Sequence, residues 1–183
     1  PHRGKDLTLW EGIRMANGEW IGIMDADGQY DPHDFHPMAA LALAHNLDAV
    51  WGIRAERQDR RGRRWMSKAA KKIRSKILGN VAVADAGCGI WIARRQYLLP
   101  ITTRCENPKG QLHCHLAELI VAQGGRVGEY SILHRHRTAG KAKYGLMNRL
   151  KPGWQSLLQA RRLHNDLQLG LAGPSTPQPT SAE

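Results

Sequence analysis

Two rhythms of apolar residues alternate along this chain. Leu9, Ile13 and Ala16 recur at helical spacing within Asp6–Asn17, and Gly18 stands where a helix would stop. Trp20-Ile21-Gly22-Ile23-Met24 follows as a short unbroken apolar run, the pattern of a buried strand. Pro32–His45 reads as a helix, with Asp31 as its N-cap and Pro32 at the first helical position. Ala49–Ile53 reads as a second buried strand, Arg60–Leu78 as a basic helix, and Ile90-Trp91-Ile92 as a third strand. Leu112–Ala122 is expected to be a helix ended by Gly124-Gly125, and Arg126–His134 a strand. Lys143–His164 is expected to be helical, with a break at Pro152-Gly153. The segment from Ala172 onward, rich in Pro, Ser and Thr, is expected to be a disordered tail at 172–183. Strands alternating with helices predict an α/β domain with a mostly parallel central sheet flanked by helices.

Charge narrows the choice of partners. Lys and Arg number 27 against 16 Asp and Glu, a formal net charge of +11. That balance suits anionic partners: phosphorylated substrates, phospholipid headgroups or nucleic acid. Nucleic acid is the less expected of these, because the chain has a single Phe and little aromatic interleaving for base stacking. Cys88, Cys105 and Cys114 are odd in number and lack zinc-like spacing, so they read as free thiols of a reducing compartment. No apolar run approaches the roughly 20 residues of a membrane span. The chain opens on Pro1, in what reads as mid-loop, and is expected to be a fragment lacking its N-terminal part.

The candidate chemistry begins at Asp25-Ala26-Asp27-Gly28-Gln29, directly after the first strand. Two carboxylates one residue apart at a strand end are hard oxygen donors suited to Mg²⁺ or Mn²⁺, metals that commonly bridge protein carboxylates and substrate phosphates. A calcium loop counted from Asp25 would need Gly and Glu where Tyr30 and His36 stand, so that reading fails. In a largely parallel sheet, ligands sit at the carboxyl ends of strands. Arg54 after the second strand, and Asp85 and Gly87 before the third, are expected there too. Between Arg54 and Lys76 run eleven cations, with Trp65, Met66, Ala69, Ala70, Ile73 and Ile77 as an apolar stripe. Such a segment fits either an anionic membrane surface or a core-packed helix with a solvated basic face. His134–Tyr144 supplies Arg135, Arg137, Lys141 and Lys143 around Gly140, a candidate phosphate clamp. His113 and His115 bracket Cys114 at a spacing that does not share a helix face, so a zinc site is not expected there.

Four of these stretches, in this order, resemble family 2 inverting glycosyltransferases, most nearly the dolichol-phosphate mannosyltransferase-like, or polyprenyl-phosphate glycosyltransferase, group. They are Gly18–Pro32 with its Asp-x-Asp, Gly52-Ile53-Arg54 with Arg63 to Ser67, Asp85–Gly89, and His134–Tyr144. The resemblance covers residues 3 to about 160 and implies a GT-A-like catalytic domain over 1–165 that lacks its first, base-binding strand. It implies Mg²⁺ or Mn²⁺ held by Asp27 and Gln29 with Asp25 at the edge. It implies Arg63, Ser67, Arg137 and Lys143 on phosphate or acceptor, Arg54 and Arg137 among the catalytic groups, and Asp85 and Gly87 at the substrate pocket. The partners implied are a nucleoside-diphosphate sugar, a polyprenyl phosphate and an anionic membrane surface, with a peripheral position on its cytoplasmic face. Ala142 stands where the family motif has Ser, and His113-Cys114-His115 where many members have His-Arg-Phe. A family 2 enzyme acting on a glycan or protein, and a non-enzymatic basic module binding RNA or membrane, are the alternatives.

Overall fold

The computed structural model describes residues 4–54, 71–79, 82–135 and 147–170, the first four residues of the last stretch for their backbone only. In chain order these form α1 (Lys5–Met15), β1 (Trp20–Met24), a 3-10 turn (Pro32–Asp34) leading into α2 (Phe35–Ala44), and β2 (Ala49–Arg54). Helical residues 71–78 form α3. Then come β3 (Ile90–Arg94), α4 (Arg95–Arg104), a second 3-10 turn (Leu112–His115) running into α5 (Leu116–Ala122), β4 (Val127–Ile132) and α6 (Met147–Gln168).

The chain is α/β, as its pattern predicts, but the sheet is mixed. The four strands lie in the order β1-β3-β2-β4. β2 and β4 are parallel, with Ala49 opposite Val127 and Arg54 opposite Ile132, whereas β3 runs antiparallel to both β1 and β2. An apolar run is blind to direction, so a central reversed strand leaves no mark in the local pattern. Its effect on the site is large. β3 begins at the end where β1, β2 and β4 finish, so the loop entering it reaches the same edge as the loops leaving the others.

Alternate residues of the buried strands feed two cores. Ala49, Trp51, Trp91 and Ala93 face Trp10, Ile13, Leu98, Leu116, Ile120, Leu157 and Ala160 on the side of α1, α4, α5 and α6. Val50, Ile90 and Ile92 face Met38 and Ala42 of α2 on the other. This period of two is what a strand covered on both sides requires. Trp51 and Trp91 are register partners, and their rings stack at 4.7 Å between centroids with 7° between planes.

Local chemistry explains most element ends. The Asp31 side chain accepts the His33 N–H at 3.0 Å, the cap expected before Pro32. Gly124, at φ 82°, turns the chain out of α5. α1 stops earlier than Gly18, at an extended Ala16. The expected break at Pro152 is absent: α6 runs through it. Pro152 lies in the second turn of that helix, so only one early backbone bond is forfeited. α4 has no counterpart in the sequence pattern. It follows β3 without a loop, has Arg94 rather than a capping residue before it, and contains Pro100.

Candidate active site

β1 delivers Asp25 to the sheet edge, where its N–H donates to the Gly89 carbonyl at 2.8 Å. Asp27 Oδ1 accepts the Gln29 N–H at 3.2 Å, an Asx turn that bends the chain back over the strand ends. The turn is strapped to the segment after β4. Arg135 N–H donates to the Gln29 carbonyl at 3.0 Å, and Gln29 Nε2 donates to the Arg135 carbonyl at 3.2 Å. The Arg135 guanidinium donates to Asp31 Oδ2 at 2.7 Å. Asp31 is thereby held below the usual carboxylate range, first by the His33 backbone N–H and side chain, then by Arg135.

Arg54, at the end of β2, grips Asp85 with both Nε and Nη2, at 2.6 and 2.8 Å. The geometry is bidentate and Asp85 is buried, so the pair is rigid and charge-compensated. Hydrogen bonding to Asp85 outweighs burial and raises the guanidinium pKa further above its already high value. Arg54 thus meets a carboxylate directly, and any phosphate would use the N–H groups outside this pair. The Cys88 N–H closes a turn onto the Asp85 carbonyl at 2.9 Å, with Gly87 inside it. The Tyr30 ring is buried beneath this turn, edge-on to His134 at 5.3 Å, and its hydroxyl accepts the Gly89 N–H at 2.9 Å. Burial raises the Tyr30 pKa, so the phenol stays protonated.

Beside these loops lies a cleft of about 840 Å³, lined by Gly4, Lys5 and Thr8 of the α1 end and by Met24, Asp25 and Ala26. The Lys5 ammonium contacts Asp25 Oδ1 at 2.6 Å. Asp25, Asp27, Gln29, Arg54, Asp85 and Gly87 therefore gather at one edge of the sheet, as the sequence predicts. Arg63, Ser67, Arg137 and Lys143 lie outside the described residues. Arg135 belongs to the basic cluster read from the sequence, whereas Lys5 and Tyr30 join the site without having been singled out as site residues. Only Tyr30 carried a visible signal, a lone aromatic inside an otherwise polar turn.

Among the described residues, no three His, Cys, Asp or Glu side chains converge as a protein-only metal cage. The donor set instead suits a hard cation shared with a ligand. Asp25 already holds a cation in the Lys5 ammonium, Asp27 stands one residue away, and the adjoining cleft has room for the phosphate oxygens that would complete a shell.

Known proteins agree with this geometry. Residues 2–100 match the family model described as glycosyl transferase family 2. The chain belongs to glycosyl transferase family 2. It is 30% identical over 146 residues to the dodecaprenyl-phosphate galacturonate synthase of Rhizobium johnstonii, covering 78% of this chain and 41% of that protein. It is 30% identical over 150 residues to the undecaprenyl-phosphate 4-deoxy-4-formamido-L-arabinose transferase of Shewanella sediminis, covering 79% and 42%. The chain thus spans about two fifths of the length of these curated relatives. In fold it is similar to glucosyl-3-phosphoglycerate synthase from Mycobacterium tuberculosis, solved with Mn²⁺, UDP-glucose and phosphoglyceric acid. The TM-score is 0.57 at 18% identity, over 88% of this chain and 56% of that one. The fold is that of GT-A glycosyltransferases.

Proposed function

We propose that this chain is part of a glycosyltransferase that moves a sugar from a nucleoside diphosphate to a polyprenyl phosphate. The observation that carries this reading is the meeting, at one sheet edge beside an open cleft, of the Asp25–Asp27 carboxylates, Lys5 and the start of the basic His134–Tyr144 motif. Two relatives at 30% identity are named for polyprenyl phosphates, dodecaprenyl phosphate in one and undecaprenyl phosphate in the other.

In the proposed reaction an acceptor phosphate oxygen attacks the anomeric carbon from the face opposite the nucleotide. The new C–O bond forms as the bond to the diphosphate breaks, and the diphosphate leaves with the electron pair. A phosphate monoester is already anionic near neutral pH, its second pKa being about 6, so no protein base is required. Asp25 and Asp27, with the Gln29 side-chain oxygen, would hold Mg²⁺ or Mn²⁺. A divalent cation there supplies charge stabilisation to the leaving diphosphate. Lys5 is placed to exchange its Asp25 contact for a donor phosphate. The bidentate Arg54–Asp85 pair would hold the loop entering β3 in one shape, and Arg137 and Lys143 would serve the acceptor phosphate. The family's Arg63 and Ser67 fall in the basic segment before α3, which would bring the lipid-borne phosphate to the site. No helix of the described residues is long and apolar enough to cross a membrane.

The test uses the full-length protein and a panel of labelled nucleotide sugars with a short-chain polyprenyl phosphate or a soluble glycan. Transfer to the polyprenyl phosphate, lost in EDTA and restored by Mg²⁺ or Mn²⁺, is the expected result. Transfer to the glycan alone, or full turnover in EDTA, would overturn the acceptor or the metal part respectively.

A further inference from the structure

Gly89 sits at a contact that no other residue could make. A Cβ built on it would lie 2.4 Å from Asp25 Oδ2 and 2.6 Å from Asp25 Cγ, and 3.0 Å from Tyr30 Cε2. Real Cβ atoms do not come that close to another heavy atom, so any side chain here displaces the Asp25 carboxylate and presses on the Tyr30 ring. The constraint is thus set by a neighbour's carboxylate and not by backbone strain. The same residue is held at both polar ends. Its N–H donates to the Tyr30 hydroxyl and its carbonyl accepts the Asp25 N–H. Tyr30 is in turn wedged between the Cys88–Ile90 entry to β3, the α2-side core and the His134 ring.

From this we infer that Tyr30 and Gly89 act together as positioning residues, fixing where the Asp25 carboxylate stands at the mouth of the cleft. Tyr30 is not among the residues that line the cleft, and it acts through the Gly89 backbone. Without the phenol oxygen, the Gly89 N–H loses its acceptor in a buried place, and the cost of an unmet buried donor drives the turn to rearrange. That rearrangement passes to Asp25 through the Gly89 carbonyl. The ring alone cannot replace this function, because packing fixes Tyr30 but only the phenol oxygen meets the Gly89 N–H. The inference deepens the proposed function, since it concerns the carboxylate that would hold the cation, and rests on it for that meaning only.

Two readouts on the chain of 183 residues separate the two ideas. The first is amide hydrogen exchange in the absence of metal. Tyr30→Phe is expected to speed exchange of the Asp25 amide about tenfold or more, roughly the loss of one buried hydrogen bond's worth of protection. The Ile21 and Ile92 amides, inside the strands, are expected to stay as in the parent. An Asp25 amide that exchanges as slowly in Tyr30→Phe as in the parent overturns the inference, whatever the metal does. The second readout is Mn²⁺ alone, titrated while the paramagnetic broadening of the Asp25 to Asp27 amide signals is followed. Gly89→Ala and Tyr30→Phe are both expected to need several-fold more Mn²⁺ for half-broadening than the parent. Gly153→Ala, where a Cβ meets nothing within 4 Å, serves as the glycine control and is expected to match the parent. Unchanged half-broadening in Tyr30→Phe would overturn the positioning role. If Gly89→Ala fails to fold, Tyr30→Phe decides alone. A parent that shows no Mn²⁺ broadening while the exchange result holds would remove the metal reading and leave the clamp standing.

Discussion

Two clusters of charged residues stand at different depths in this molecule. At the sheet edge, Lys5 pairs with Asp25 and Arg135 with Asp31, and all four side chains keep contact with solvent. Deeper in the molecule, on the face of the sheet covered by α1, α5 and α6, lies a buried set. Asp6 accepts the Leu112 N–H at 3.1 Å and pairs with His113 Nδ1. Arg74 of α3 stands 3.3 Å from Glu118, which is only 1% exposed. His115 lies within 3.4 Å of the Ser156 hydroxyl of α6. Both sets bring acids and bases together, yet they are built for different ends. The Asp6–His113 and Arg74–Glu118 pairs link segments of the chain away from water, so removing one partner strands the other. The edge charges keep access to solvent and can change partners at small cost. Charge density alone does not mark a site; the freedom to change partners does.

The sharpest break of this comparison is a pair of variants. Asp27→Ala in the full-length protein is expected to lower transfer about 10³-fold or more, the scale of losing a group that stabilises transition-state charge, while its melting temperature stays within a few degrees of the parent. Glu118→Ala is expected to do the reverse. It leaves Arg74 buried without its partner, costing about 3–5 kcal/mol in denaturant unfolding. Should Asp27→Ala unfold the chain, or Glu118→Ala leave its stability untouched, the division between the clusters is wrong.

Titration of the buried pair sharpens the same contrast. Burial would lower the His113 pKa, but its hydrogen bond to Asp6, with a contribution from Cys114, raises it to about 10. Burial, then the Arg74 and His113 charges, pushes His115 down to about 4. An unfolded histidine titrates near 6.5. His113 therefore contributes stability that is complete below pH 6.5 and is lost as pH rises toward 10. His115 works in the opposite sense: above pH 6.5 it costs nothing, and stability falls as pH drops from 6.5 toward 4, because only the unfolded state takes up the proton. Unfolding free energies measured against pH are expected to lose their alkaline decline in His113→Gln and part of their acid decline in His115→Gln. Parallel curves for parent and both variants would refute this.

Effects at the exposed edge are expected to be smaller. Arg135→Ala removes one surface ion pair and is expected to cost less than about 1 kcal/mol in thermal unfolding. Smaller still is the effect of neutralising Lys71, Lys72 and Lys76, which are exposed on α3. Stability is expected to stay within about 0.5 kcal/mol of the parent. Binding to anionic vesicles is expected to weaken in a way that salt suppresses, since screening acts over about 10 Å at 0.1 M. Equal vesicle binding by parent and triple variant would make α3 a packed helix with a solvated face and nothing more.

The residues explain why some of this was legible beforehand and some was not. Asp31-Pro32 announces its own helix start because a cap is a local hydrogen bond. β1, β2 and β3 follow from apolar runs bounded by polar turns. The Asp25 to Gln29 signature is contiguous, so its chemistry could be read without knowing the fold. Arg54 and Asp85 are 31 positions apart, and nothing near either one shows that they meet. The same holds for Tyr30 and Gly89, which meet across 59 positions because β3 runs backward through the sheet. α4 was hidden because a strand hands directly to a helix at Arg94 with no turn residue between them. Local interactions are written in the sequence around them; strand direction and distant pairings arise only when the chain closes on itself.

The stacked tryptophans at the centre of the sheet have a practical consequence. Two indoles stacked with nearly parallel planes at 4.7 Å couple their transitions, so the chain is expected to carry an exciton couplet in its far-ultraviolet circular dichroism. Because Trp51 and Trp91 face each other only when β2 and β3 are in register, a slip of one residue would turn one indole to the opposite side and erase the signal. The protein thus contains its own optical gauge of whether the central strands have paired correctly, readable without a label and before any substrate is added.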